Sequence, residues 1–311
     1  MKLTMHTCRG DEDYWRCREF LREVFLLNDR HEKSWQVSRL DYWRWHGIEN
    51  MGHGQLETDV FIWEANDAHI AAVLNREGPG SVFLQVHPAM QSPELEEEMI
   101  TVAEKHLSIP SPPDRRRLHI WTDQHDRLRQ SILTRRGYTK GHKPEYQRRR
   151  PMSVPIPDVP VASGYTIRPL GDVDEHPARS FVSWRAFHPD ESDDQYQGWK
   201  WYSNIQRAPL YRRDLDIVAV APGGELASFC SIWFDDVTRS GTFEPVGTAP
   251  EHQKRGLGKA VMLEGLRRLK RIGATMAYVG SYGDAAHALY DSVGFTEYDL
   301  SERWIKQLQV K

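Results

Sequence analysis

The same order of secondary-structure signals occurs twice along this chain, once on each side of a proline-rich stretch near its middle. That repetition constrains the fold more than any single motif. The stretch from Tyr146 to Gly164 carries Pro151, Pro155, Pro157 and Pro160 without helical periodicity, and it reads as an extended connector. It divides the 311 residues into a domain over 1–150, a Pro-rich linker over 151–164 and a second domain over 165–311. In the second half, Tyr165-Thr166-Ile167-Arg168 alternates as a first strand, and helices are predicted over 177–187 and 195–205. A hairpin over 215–234 turns at Pro222-Gly223-Gly224, residues that supply a preset φ and a permitted positive φ. A strand over 242–248 then leads into a helix with Leu257, Val261, Met262, Leu266 and Leu269 on one face. A strand over 275–279, a helix over 285–293 and a closing strand from Thr296 complete the half.

The first half repeats this order. Strand 3–6, helix 11–26, hairpin 59–75 turning at Asn66-Asp67, strand 82–87, helix 93–106, strand 118–122 and helix 126–136 lead to Gly137-Tyr138. Leu3 pairs with Tyr165, Pro88 with Pro250, and Gly137-Tyr138 with Gly294-Phe295 as landmarks. The fold class expected is α/β of the α+β kind: two tandem domains, each a mixed, mostly antiparallel sheet flanked by helices.

The segment Gln253-Lys254-Arg255-Gly256-Leu257-Gly258 lies where a strand ends and a long helix begins. Glycines there let backbone approach a ligand closely, and the unpaired N–H groups of a first helical turn, aided by the helix dipole, favour an anion. The pattern is that of a pyrophosphate cradle, with Lys254, Arg255 and Lys259 adding positive charge. A dinucleotide or P-loop site would require a parallel βαβ unit and different spacing.

These residues resemble the GNAT superfamily of acyltransferases, whose acetyl-CoA loop has the form Q/R-x-x-G-x-G/A; Gln253, Gly256 and Gly258 match it. Ala288-Leu289-Tyr290-Asp291-Ser292-Val293-Gly294-Phe295 is similar to that family's closing L-Y-x-x-x-G-F signature. The tandem layout resembles that of mycothiol synthases. The resemblance implies acetyl-CoA as cofactor and a bulged or splayed strand at 242–248, where backbone groups near Val246 and Thr248 hold the pantetheine arm and the acetyl carbonyl. It also implies roles for two side chains. Tyr290 occupies the family's tyrosine position and is expected to protonate the departing thiolate, or else is a packing residue with a hydrogen-bonded tip. Glu244 stands where several members carry a catalytic glutamate, and is either the base for the amine or an exposed strand residue in an ion pair. His188, Asp235 and Asp236 are held in reserve. Where many members have Asn seven residues before the tyrosine, this chain has Gly283, and Ser281 and Tyr282 are expected to compensate.

The first half lacks this equipment. Aligned on Pro88 and Pro250, Glu94 and Glu96 replace Gly256 and Gly258, and Leu133 replaces Tyr290. Carboxylates at a helix start repel a pyrophosphate, so a degenerate GNAT-like domain is expected.

Composition narrows the function further. With 41 Lys and Arg against 44 Asp and Glu, the formal charge of −3 removes the attraction expected of a nucleic-acid binder. Arg115-Arg116-Arg117 and Arg148-Arg149-Arg150 read as solvated faces. No apolar run approaches the length of a membrane span, and Met1 to His6 reads as a strand rather than an export signal, so a cytoplasmic location is expected. Cys8, Cys17 and Cys230 lack metal or disulfide spacing, and no metal is expected. The chain is thus expected to acetylate a small-molecule amine. Protein or peptide N-acetylation and a noncatalytic acetyl-CoA-binding module are the alternatives. The acidic segment His188 to Asp194 and the aromatics Trp184, Trp199, Trp201, Tyr202 and Trp233 are candidates for the acceptor side or, equally, for a solvated loop and core. Trp35, Arg39, Tyr42, Trp43 and His46 form an aromatic and basic cluster without an assigned purpose, and the sequence does not indicate an oligomeric state.

Overall fold

The computed structural model describes residues 3–112 and 114–309; Met1 and Lys2, part of the N-terminal segment read as strand rather than export signal, lie outside the described residues. The chain forms two compact units, one running up to Tyr146 and taking in the C-terminal segment from Asp299, the other spanning Gln147–Tyr298.

The first unit contains β1 (Thr4–Thr7), α1 (Asp11–Leu27), α2 (Val37–Tyr42), α3 (Leu56–Asp59), β2 (Val60–Glu64), β3 (Ile70–Gly78) and β4 (Ser81–Val86). It continues with α4 (Pro93–His106), β5 (Ile109–Ser111), β6 (Arg115–Asp123), α5 (Arg127–Arg135) and β7 (Thr139–Lys140). β8 (Glu145–Pro151) runs across the boundary into the second unit, which continues with β9 (Thr166–Pro169), then α6 (His176–Phe187), α7 (Lys200–Ile205), β10 (Asp216–Val220) and β11 (Leu226–Asp235). β12 (Ser240–Thr248), α8 (Leu257–Arg271), β13 (Met276–Ser281) and α9 (Asp284–Ser292) precede β14 (Glu297–Gln309).

In the second unit the strand order is β8-β13-β12-β11-β10-β9, antiparallel from β9 to β12 and parallel between β12 and β13. In the first unit the order is β1-β2-β3-β4-β6-β14, with the one parallel pair between β4 and β6. The closing strand is therefore placed differently from the simple repeat. Ser301 to Gln309 of β14 pairs with Asp123 to Arg115 of β6, while β8, whose sequence ends the first half, hydrogen-bonds to β13. Each sheet is completed by a strand from the other half of the sequence. The unit boundary falls at Tyr146, ahead of the prolines, and the start of the expected connector is strand.

Two further differences have local causes. The helix expected over 195–205 is confined to Lys200–Ile205, because Tyr196 is extended after the short turn Asp193–Gln195 and Gly198, at φ +92°, is outside helical conformation. Arg148 and Arg150 are not a solvated face: they are 3% and 0% exposed, held by hydrogen bonds described below. The apolar stripe of α8 is packed as its period demands, with Leu257, Val261, Met262, Leu266 and Leu269 all buried in the core of the second unit.

In the first unit the unassigned cluster is structural. The Arg39 guanidinium lies 4.7 Å from the Phe83 ring and 5.3 Å from that of Trp35, and bonds Glu77 at 2.6 Å and Glu145 at 3.0 Å.

Candidate functional site

The site begins with a break in β12. Along the β11–β12 ladder Cys230 faces Val246 but Ile232 faces Phe243, so Ser231 alone stands opposite Glu244 and Pro245. One strand thus carries an extra residue, which bends it and re-aims its backbone groups; Pro245, having no N–H, suits a position that leaves the ladder. The buried Trp233 pins the bend, its indole Nε1 donating to the Glu244 carbonyl at 2.5 Å. On the other edge, β12 pairs with β13 only from Ser240 to Thr242, so among the described residues the segment 243–248 has no strand opposite it on that edge. The bulge and the loss of pairing lie on opposite edges of the same stretch of β12. Trp233→Phe removes the indole donor, and urea unfolding is expected to register a loss of about 1–3 kcal/mol. A change below about 0.5 kcal/mol would mean the carbonyl finds another donor.

β12 runs out into the loop at Gln253. Lys254 and Gly256 both adopt left-handed backbone, at φ +60° and +75°, an alternation that turns successive N–H groups to one side. Gly256 is the N-cap of α8 and no side chain caps the helix. Its first intrahelical bond is Ala260 N–H to the Gly256 carbonyl, which leaves the amides of Leu257, Gly258 and Lys259 without helical acceptors. A Cβ on Gly256 would meet nothing within 4 Å, whereas one on Gly258 would lie 3.5 Å from Thr248 Oγ1 and 3.4 Å from Leu289. The first glycine is needed for its φ, whereas a Cβ at the second would make only ordinary contacts. Lys254 and Arg255 are exposed, and with Lys259 they have no carboxylate partner among the described residues. Other predicted groups are held by contacts within the unit. Leu257 is 1% exposed, so only its backbone faces the loop; Gln253 Nε2 donates to the Thr248 carbonyl at 3.3 Å; and the Thr248 hydroxyl lies 2.8 Å from Ser228 Oγ.

Tyr290 projects from α9 into the core and is 8% exposed, with its ring 6.4 Å from Phe295. Among the described residues its hydroxyl has no hydrogen-bond partner. Burial raises its pKa above the ordinary tyrosine range, the Glu244 carboxylate pushes the same way, and Arg148 opposes them. Burial and Glu244 thus favour the protonated hydroxyl, a donor without an acceptor among the described residues. Glu244 is half-buried on the bulge, electrostatically coupled to Tyr290. Ser281, expected to compensate for the missing Asn, cannot do so: it is 2% exposed and its hydroxyl is taken by Arg148 Nε at 3.0 Å and His287 Nδ1 at 2.9 Å.

Residues 176–295 match the acetyltransferase (GNAT) family. The mycothiol acetyltransferase of Salinispora arenicola is 27% identical over 246 residues, covering 75% of each chain, and that of Thermomonospora curvata is 33% identical over 160 residues, 49% of this chain and 51% of the relative. Among solved structures, a tandem GNAT protein from the clavulanic acid biosynthesis pathway aligns over 100% of both chains with a TM-score of 0.68 at 12% identity. A GCN5-related N-acetyltransferase from Sphaerobacter thermophilus covers 99% of this chain and 96% of its own, with a TM-score of 0.67 at 15% identity. The second half of this chain is thus a GNAT acetyltransferase domain, within a chain that has the fold of tandem GNAT proteins.

The acetyltransferase's first unit keeps the fold but not these features. β4 and β6 pair only over Ser81–Phe83, so the splay persists, yet the β3–β4 ladder runs without a bulge from Arg76 to Ala72. The start of α4 is closed: Ser92 Oγ accepts from Leu95 N–H at 3.2 Å, and Pro93 removes one amide outright. Matching helix starts places Ser92 opposite Gly256 and Glu94 opposite Gly258, a register two residues from the one expected, because the loop after Pro88 is shorter than that after Pro250. Glu96 is fully buried and forked onto Arg129 with two bonds of 2.8 Å, tying α4 to α5. Leu133 is fully buried where the second unit has Tyr290.

Of the three reserve residues, Asp236 is exposed and the other two are engaged elsewhere. Asp235 is buried and accepts from the Thr238 N–H and hydroxyl, and His188 stacks on Trp184 with its Nδ1 3.0 Å from the Trp184 carbonyl. The segment 188–194 is an exposed loop, with Arg185 bonding the Glu191 carbonyl at 3.0 Å. Tyr202 is buried on Asp216, which also accepts from Arg179. No helix among the described residues is long and apolar enough to cross a membrane, and none of their His, Cys, Asp and Glu side chains group as metal ligands.

Proposed function

We propose that this enzyme transfers the acetyl group of acetyl-CoA directly to a primary amine of a small molecule, in a ternary complex in the second unit. The observation that carries the reading is the uncapped start of α8 behind left-handed Gly256, lying beside a bulged strand. Acetyl-CoA, when bound, supplies an activated thioester whose sulfur departs as a thiolate. The amides of Leu257, Gly258 and Lys259 and the charges of Lys254, Arg255 and Lys259 suit its pyrophosphate. Gln253 holds this loop to the Thr248 carbonyl, and backbone groups near Val246 and Thr248, freed by the splay, suit the pantetheine arm and the acetyl oxygen. Tyr290 holds a proton at its hydroxyl for the leaving thiolate. Glu244 takes the proton of the attacking amine, directly or through water. A small-molecule acceptor is favoured by the mycothiol acetyltransferase of Salinispora arenicola, which the chain matches over three quarters of its length.

The direct test is release of free thiol from acetyl-CoA with a panel of small amines and a lysine-bearing peptide. Turnover with the peptide alone would replace the small-molecule reading. Binding without turnover on any amine would make the protein a cofactor-binding module. Because α4 is capped by Ser92 and carries Glu94 in its first turn, calorimetry is expected to find one acetyl-CoA per chain. Two equivalent sites would show that the first unit also binds the cofactor.

A further inference from the structure

Two buried arginines of β8 converge on α9. Arg148 Nε donates to Ser281 Oγ at 3.0 Å, Nη1 to Asp291 Oδ1 at 2.5 Å and to the Phe295 carbonyl at 2.8 Å, and Nη2 lies 3.3 Å from His287 Nδ1. Arg150 Nε donates to the Val293 carbonyl at 3.0 Å, at the C-cap of the same helix, and its Nη2 reaches the Pro155 carbonyl at 2.9 Å. A Cβ on Gly294 would stand 2.9 Å from Arg150 Nε, so the glycine of the closing signature, at φ +90°, is what lets the guanidinium approach. Cations at a helix C-terminus bond its orphan carbonyls and oppose its dipole. Here both are rigid forks on a strand, and they grip one short helix along its length. His287 and Asp291 flank Tyr290 on that helix, so its placement depends on the grip.

We propose that Arg148 is a positioning residue for Tyr290, fixing α9 so that the tyrosine hydroxyl stands beside the bulge of β12. The inference rests on the reading of Tyr290 as proton donor. It assigns a role in the chemistry to a residue outside the family-matched segment 176–295, on a strand that belongs by sequence to the first half. The geometry also explains why Arg rather than Lys stands there: four acceptors from three sides require a planar fork rather than a point charge.

A double-mutant cycle separates this role from general support. Arg148→Met should lower kcat by about tenfold or more while KM for acetyl-CoA stays within about twofold. In the Tyr290→Phe background the same substitution should cost less than about twofold, because the group it positions is gone. Losses that multiply in the double variant would overturn the proposal and leave Arg148 a structural residue. A Tyr290→Phe enzyme of nearly normal rate would overturn the reading of Tyr290 itself, and the positioning role with it. If Arg148→Met does not fold, the cycle is run with Asp291→Asn, which removes only the half-exposed end of the network. The same non-multiplying pattern is then expected, with a loss of about threefold. A multiplying loss there, or no loss at all, would equally refute the proposal.

Discussion

Gly256→Glu is expected to weaken acetyl-CoA binding by at least about a hundredfold while the chain still folds. Three effects act on one residue. A side chain at φ +75° costs about 1–2 kcal/mol of backbone strain, which a domain of this size tolerates. The open space around the missing Cβ means that no packing is lost. The new carboxylate stands at the N-cap of α8, where it accepts from the amides left free by the native loop and so occupies the place of the anion. Its charge then repels the pyrophosphate, at about 4 kcal/mol for a pair of unit charges 4 Å apart near a protein surface. Gly256→Asn separates these terms, since asparagine tolerates left-handed backbone and caps without charge. It should weaken binding less than the glutamate does. Affinity measured by calorimetry, alongside a melting curve for each variant, checks the order. Unchanged affinity in Gly256→Glu would move the pyrophosphate away from α8.

Tyr290→Phe should bind acetyl-CoA nearly as the parent does and turn over about 10²–10⁴-fold more slowly, the range for a positioned general acid. The substitution keeps the ring that packs against Phe295 and deletes a hydroxyl that bonds no described residue, so stability should change little. That separation makes the experiment decisive. A tyrosine whose hydroxyl was tied into the core would lose stability on the same change. Here burial and the Glu244 carboxylate favour the protonated form, which is the form a donor requires. A loss of rate below about fivefold would assign the proton to water or another group.

Much of this was legible before any coordinates. The repeat, the order of elements in both halves, the apolar stripe of α8 and the glycine loop before it are all local patterns, set by residues two to seven apart. Tyr290 is legible from its place in a short signature, and the structure adds that its hydroxyl has no hydrogen-bond partner among the described residues. The splay of β12 was implied by resemblance; that the insertion falls on Glu244 and Pro245, and that Trp233 holds it, was not legible, because a bulge is defined only against a partner strand.

What the chain's sequence determined by itself is therefore which elements form and which loop is able to cradle an anion, since periodicity and glycine placement act within a single segment. Tertiary structure alone decided which strand completes which sheet. An edge such as Glu145–Pro151 carries the same alternating signal whichever neighbour it joins, and its partner is chosen by contacts more than a hundred residues distant. The fate of Arg148 and Arg150 follows from that choice. Three consecutive arginines read as a solvated run, and only a strand built into the second unit's sheet brings two of them onto the orphan carbonyls and polar side chains of α9, where burying their charge is compensated by hydrogen bonds.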